Sequence, residues 1–133
     1  MELKLPFLPP TQNRYFIIAR NRLIKSSAAR IFLDKVKAEK LRQFHRIEPF
    51  KAFKGRLLRV DTYYYIQKER LWTKKGEVKK LDFMNFQKMA WDALAELIDI
   101  DDKYYKAGFH ECIECATSSD ECIIFKISVY EKE

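Results

Sequence analysis

The sequence predicts an α+β domain, a small mixed β-sheet with two main helices packed on it. Three observations carry that expectation. Arg56 to Gln67 alternates with the period of a strand, placing Leu58, Val60, Thr62, Tyr64 and Ile66 on one face and Leu57, Arg59, Asp61, Tyr63, Tyr65 and Gln67 on the other. Phe86, Met89, Ala90, Ala93, Leu94 and Leu97 recur at helical spacing and make one apolar face. The elements follow in the order β, β, α, β, α, β, β with no internal repeat, a pattern of mixed strands with helices laid on them. A chain of 133 residues suits one domain over 1–133 and buries roughly two-thirds of its unfolded surface.

Glu2 to Phe7 reads as a short strand, stopped by Pro9-Pro10 because proline has no N–H to give a ladder. Thr11-Gln12-Asn13 is a polar turn into a second strand, Arg14 to Ile18. Arg20, Arg22 and Lys25 then place positive charge on a loop or ragged hairpin. Ser26-Ser27 can cap a helix running to about Phe44, with Ala29, Phe32, Leu33 and Val36 inward and a basic outer face. His45 to Gly55 is expected to be a connection, and Lys68 to Lys80 a loop with six basic residues and two acids. Asn85 suits the N-cap of the second helix. Gly108 to Ala116 and Glu121 to Tyr130 are the last strands, joined as a hairpin through Thr117-Ser118-Ser119-Asp120.

Composition narrows the function classes. An apolar fraction of 47% and an aromatic fraction of 14% mark an ordered protein. No run of apolar residues approaches the length of a membrane span, and the N-terminus lacks the pattern of a signal peptide. Three cysteines, an odd number, point to reduced thiols and a cytoplasmic location. With only three glycines the chain has no Gly-rich phosphate loop, which excludes P-loop and Rossmann nucleotide cofactors. Net charge is +7 and unevenly spread. Residues 1–88 hold 22 Lys/Arg against 8 Asp/Glu, and residues 89–133 hold 4 against 11. One part can attract a polyanion and the other can hold a cation.

The chemistry concentrates around the second helix. Asp82 stands before it, Lys88 lies one turn in and off the apolar face with Trp91, Asp92 and Ala95, and Asp101-Asp102 follow it. The helix spans roughly 20 Å, so Asp82 and Asp102 share a site only if the following chain folds back. Acids and an amine in a basic protein suggest metal-dependent work on a phosphate. Mg²⁺ takes a few carboxylates plus water and substrate phosphate, and a lysine can neutralise charge that develops on phosphorus. The plainer alternative makes Asp82 a helix N-terminal acid and Asp99, Asp101 and Asp102 an ordinary acidic turn. His110, Cys112, Cys115 and Cys122 count four possible zinc ligands. Strand alternation, however, turns Cys115 away from His110 and Cys112, and core packing is the favoured reading.

At these residues the chain resembles the RusA family of Holliday junction resolvases. Leu5 to Tyr15, LPFLPPTQNRY, is similar to the family's opening strand, proline pair and polar-Asn-aromatic turn. Arg20 to Lys37 resembles its basic loop and first helix. The most specific stretch is Asp82-x-x-Asn85-x-x-Lys88-x-x-x-Asp92-Ala93-Leu94, followed by Asp101-Asp102. The resemblance implies a homodimer that grips branched DNA, a four-way junction, and nicks two strands symmetrically with Mg²⁺, for which Mn²⁺ can substitute. By position, Asp82 is the first metal-binding acid, Asp102 the last, and Lys88 the catalytic lysine. The family's middle acid, directly before the Asn, is Met84 here, a soft thioether poorly suited to Mg²⁺. Two outcomes follow: Asp101, or Asp61 or Glu77 brought near by the fold, completes the site, or the protein is a weak or inactive nuclease that still grips branched DNA. Arg14, Arg20, Arg22, Lys25, Lys74, Lys75, Lys79 and Lys80 are the expected phosphate contacts, reading backbone shape.

Overall fold

The protein is seen in a computed structural model that describes residues 1–10, 16–19, 22–25, 27–72, 74–76 and 83–131; for 16–19, 22–25 and 83–85 only the backbone is considered. The strands are β1 (Glu2–Leu5), β2 (Phe16–Ala19), β3 (Arg22–Lys25), β4 (Leu58–Gln67), β5 (Tyr105–Ala107), β6 (His110–Cys115) and β7 (Cys122–Val129). The helices are α1 (Ser27–Arg42), α2 (Phe44–Ile47), α3 (Lys68–Leu71) and α4 (Phe83–Ile98). The main sheet runs β1-β7-β4-β5, with β6 also on β4, and β2 and β3 pair with each other in a separate two-stranded sheet. Pairing is antiparallel between β1 and β7 and between β7 and β4, and parallel between β4 and both β5 and β6. The fold is α+β with a mixed sheet.

β4 is the centre. Its alternating residues Leu58, Val60, Thr62, Tyr64 and Ile66 are all buried, and in register with them lie Ile123, Phe125 and Ile127 of β7 and, beyond, Leu3 and Leu5 of β1. Against this one face pack Ala29, Phe32 and Val36 of α1 and the apolar stripe of α4, Phe86, Met89, Ala90, Ala93, Leu94 and Leu97. Burying a large aliphatic or aromatic side chain stabilises by about 1.5–3 kcal/mol, so this shared face dominates the fold. Gln43, itself buried, ties the end of α1 to β1: its amide nitrogen donates to Lys4 O at 2.9 Å and to Glu39 Oε2 at 2.7 Å.

The structure departs from expectation in several places. β6 and β7 are not a hairpin. They lie on opposite sides of β4, and a short 3-10 turn, Ser118–Asp120, carries the chain across its end. The turn residues were legible, but which neighbour each strand takes depends on β4, whose two edges both need partners. The supposed connection after α1 contains α2 and a 3-10 helix, Glu48–Phe53, because Pro49 sits in a first turn, where a missing N–H costs nothing. The basic loop after β4 begins with the short helix α3. α4 starts at Phe83, so Asn85 lies inside its first turn and is not its cap. Ser26, the expected cap of α1, lies outside the described residues.

β5 and β6 are two pieces of one edge strand, interrupted at Gly108. The register on β4 shifts between Leu58 and Arg59, and pairing resumes where Thr62 N–H donates to Phe109 O at 2.8 Å. Gly108 has φ of 144°, and a Cβ there would lie 1.8 Å from Val60 O. Both the angle and the space demand glycine. Gly108→Ala should therefore destabilise by about 3 kcal/mol, the strain and overpacking together. Gly55→Ala, in open space though also at positive φ, should cost clearly less. Urea denaturation of both variants checks this; equal midpoints would refute the close approach.

Candidate active site

Lys88 lies on α4 where the helix leaves the core, and its side chain is half exposed. The apolar stripe buries one side of the helix, which turns Lys88, Trp91, Asp92 and Ala95 toward the rim, as their spacing predicts. Trp91 fixes that rotation. Its indole N–H donates to Thr62 Oγ1 at 3.1 Å, and Thr62 is fully buried in the middle of β4. Its ring also meets Tyr105 edge-on at 5.4 Å and tilts over His110 at 5.1 Å.

The chain after α4 does fold back. Asp99 takes a left-handed conformation, φ 56°, which reverses direction at a helix end, and its carboxylate pairs with Lys40 of α1 at 2.7 Å. Ile100 is buried, and its carbonyl accepts from the Tyr105 hydroxyl at 2.9 Å. Between these anchors Asp101 caps a single 3-10 turn, Asp102–Tyr104, by accepting from Lys103 N–H at 2.9 Å. That hydrogen bond is the main reason its carboxyl lies below the usual aspartate range. The turn aims Asp102 along the helix at Lys88.

Lys88 Nζ is 3.1 Å from Asp102 Oδ2 and 3.1 Å from Asp92 Oδ1. Partial burial pulls the ammonium's pKa down, but hydrogen bonds to and charges of Asp92 and Asp102 outweigh it, so the net shift is upward. Lysine stays charged throughout the neutral range. Beside it a cleft of about 520 Å³ opens between α1 and α4, where Leu33 and Lys37 face Asp92, Glu96, Asp101 and Asp102.

Of the expected site residues, Lys88 and Asp102 meet, with Asp101 adjacent. Asp82 and Glu77 lie outside the described residues, as do Arg14, Arg20, Lys79 and Lys80. Arg22 and Lys25 end β3, with their side chains not described, and Lys74 and Lys75 are exposed in the turn after α3. Asp61 does not complete the site. It sits on the face of β4 away from the helices, where it pairs with Arg59 at 3.2 Å and accepts from Phe109 N–H at 3.2 Å. Asp92, which the sequence reading marked as outward and quoted in the motif without a role, is a second partner of Lys88, one helical turn away.

The donors present suit a hard divalent cation. Asp102, with Asp101 beside it, offers carboxylate oxygens on the rim, the ligand type of Mg²⁺ or Mn²⁺ sites. Among the described residues, no group of three His, Cys, Asp or Glu is arranged to hold a metal ion, so a third acid would have to come from outside them. The histidine and cysteines are differently employed. The Tyr64 hydroxyl and His110 Nδ1 share a hydrogen bond at 2.7 Å and the two rings stack. Cys112 packs against the core, Cys122 is buried, and burial pushes all three thiols up, away from the thiolate form that zinc binds.

A mixed sheet backed by two long helices, with a lysine held between carboxylates at its rim, defines a small α+β protein whose site offers hard oxygen donors beside a fixed cation. Residues 6–108 match the family model for endodeoxyribonuclease RusA. The chain therefore belongs to the RusA family, Holliday junction resolving endonucleases that in general depend on a divalent metal and bind branched DNA. No curated protein shows a matching sequence. Among the described residues, no helix is long and apolar enough to cross a membrane.

Burial pulls the pKa of His110 below its ordinary 6.5. The neutral ring is thus favoured by the fold, and the unfolded chain takes up its proton first as pH falls. Stability should be full above pH 6.5 and decline as pH drops through that value. His110→Gln, whose amide can still hydrogen-bond the Tyr64 hydroxyl, should flatten this decline. Thermal midpoints of both proteins between about pH 7 and pH 5 test it; parallel curves would exclude His110 as the cause.

Proposed function

We propose that the chain is an Mg²⁺-dependent, structure-selective endonuclease that resolves four-way DNA junctions as a homodimer, by paired symmetric nicks. The observation that carries the reading is the convergence of Lys88 and Asp102, fourteen residues apart in sequence, within 3.1 Å on an exposed rim. It lies inside the stretch that matches the family. Asp82 and Asp102 would hold the cation, with Asp101 beside them. When bound, Mg²⁺ supplies Lewis acidity toward a phosphate oxygen and lowers the pKa of a water. Lys88 provides a fixed positive charge that neutralises the extra negative charge growing on the scissile phosphate. Its raised pKa keeps that charge in place up to strongly alkaline pH.

Lys74 and Lys75, with Arg14, Arg20, Arg22, Lys25, Lys79 and Lys80, supply the phosphate contacts in this reading. Their contribution depends on counterion release and weakens with salt. A second reading follows from Met84, which stands where the family carries an acid: a weakened or non-cleaving protein that still grips branched DNA. Met84→Asp separates the two. A large gain in cleavage means that the native site is crippled, and little change means that another group already serves.

Asp82→Asn and Asp102→Asn should each lower nicking of a synthetic four-way junction by about a hundredfold or more. Junction affinity should change little, and should fall steeply between low and moderate salt in all three proteins. Cleavage assays with Mg²⁺ or Mn²⁺ and gel-shift titrations measure both. Undiminished nicking by either variant removes that residue from the mechanism.

A further inference from the structure

Lys88 has two carboxylate partners at the same distance, held by different means. Asp92 lies one turn along the same helix, so α4 itself sets the 3.1 Å pair. Asp102 arrives on the return of the chain and makes the other. Among the described residues no further carboxylate is within ion-pair distance of this ammonium. While both acids are free to pair, either one could hold the lysine. The redundancy ends if Asp102 turns to a divalent cation. A dication outcompetes a single ammonium for the carboxylate and repels it at short range. Lysine has a flexible four-carbon stem and keeps most of its freedom in water. Half exposed, Lys88 has open solvent to swing into, and an ammonium that leaves cannot face the phosphate.

We propose that Asp92 is a positioning residue, which keeps the Lys88 ammonium at the site once Asp102 is engaged by the divalent cation. The proposal rests on the metal-dependent reading above. Asp92 is set by the helix and not by the return, so it stays in place when Asp102 changes partner. Trp91, the preceding residue, pins that turn of α4 to Thr62, which holds the Asp92 backbone as well. As an ion pair at the rim, Lys88–Asp92 adds little to fold stability, so losing it should reveal function and not unfolding.

The test is the ¹⁵N spectrum of the lysine ammonium groups, with the Lys88 signal assigned by its disappearance in Lys88→Met. Without Mg²⁺, wild type and Asp92→Asn should both show it, since Asp102 still holds the group. With saturating Mg²⁺, wild type should keep the signal and Asp92→Asn should lose it to exchange with water. On junction DNA, kcat of Asp92→Asn should fall about tenfold or more, while KM and junction affinity stay within about twofold, and Asp92→Glu should recover part of the rate. A Lys88 signal that survives Mg²⁺ in Asp92→Asn overturns the proposal. So does loss of Mg²⁺ binding in that variant, which would make Asp92 a cation ligand. If Mg²⁺ leaves the backbone amide of Asp102 unperturbed even in wild type, the metal reading itself has failed, and the positioning role falls with it.

Discussion

The hydrogen bond from the Trp91 indole to Thr62 couples the site to the fold. Thr62 brings a small hydroxyl into the middle of the buried row on β4, and without a donor it would be an unmet group in the core, at a cost of about 1–3 kcal/mol. Trp91 meets it, and in doing so sets the rotation of α4 about its own axis. The apolar stripe sets that rotation to within the width of its face, and a directional hydrogen bond narrows it further. Here rolling would break the bond, so Lys88 and Asp92, one turn before and one residue after Trp91, face the rim.

The second constraint is the return of the chain. Asp102 reaches Lys88 because four features act in sequence: the left-handed Asp99, its ion pair to α1, the buried Ile100 and the Tyr105 hydroxyl on the Ile100 carbonyl. Tyr105 then enters β5 alongside β4. The same strand that orients the helix through Thr62 thus anchors the far end of the loop. Both halves of the Lys88–Asp102 pair are referred to β4, and an ion pair between half-exposed groups, weak by itself, gains a fixed geometry from that common reference.

Much of this was readable from residue spacing. The buried faces of β4 and α4 follow from periods of two and of 3.6, and the outward group of Lys88, Trp91 and Asp92 is the complement of the apolar stripe. The family resemblance pointed at Asp102 and Lys88 together. What was not readable depends on contacts distant in sequence. The final strands looked like a hairpin because a local turn signal says nothing about which edge of β4 is free. Asp61 looked available because strand alternation names two faces without saying which one the helices cover. Asp92 was marked as outward but not as a partner, since its significance appears only when Asp102 arrives on the other side of the same ammonium.

The lopsided charge of the chain takes on a physical meaning at this point. The cleft beside Lys88 is walled by Asp92, Glu96, Asp99, Asp101 and Asp102, with Lys37 opposite, so a phosphodiester approaching it meets mostly negative groups. The basic surface can draw DNA to the protein but cannot by itself bring a phosphate into an acidic cleft. Lys88 carries one positive charge and already shares it between two carboxylates. On the proposed reading a divalent cation resolves the conflict, because it neutralises the acids and offers the phosphate a ligand position in the same act. In the same reading, Met84 in place of an acid lowers the negative charge that must be overcome, and with it the pull on the cation. On that reading, the balance between those two effects, set by a handful of carboxylates around one lysine, decides whether a junction is cut or only held.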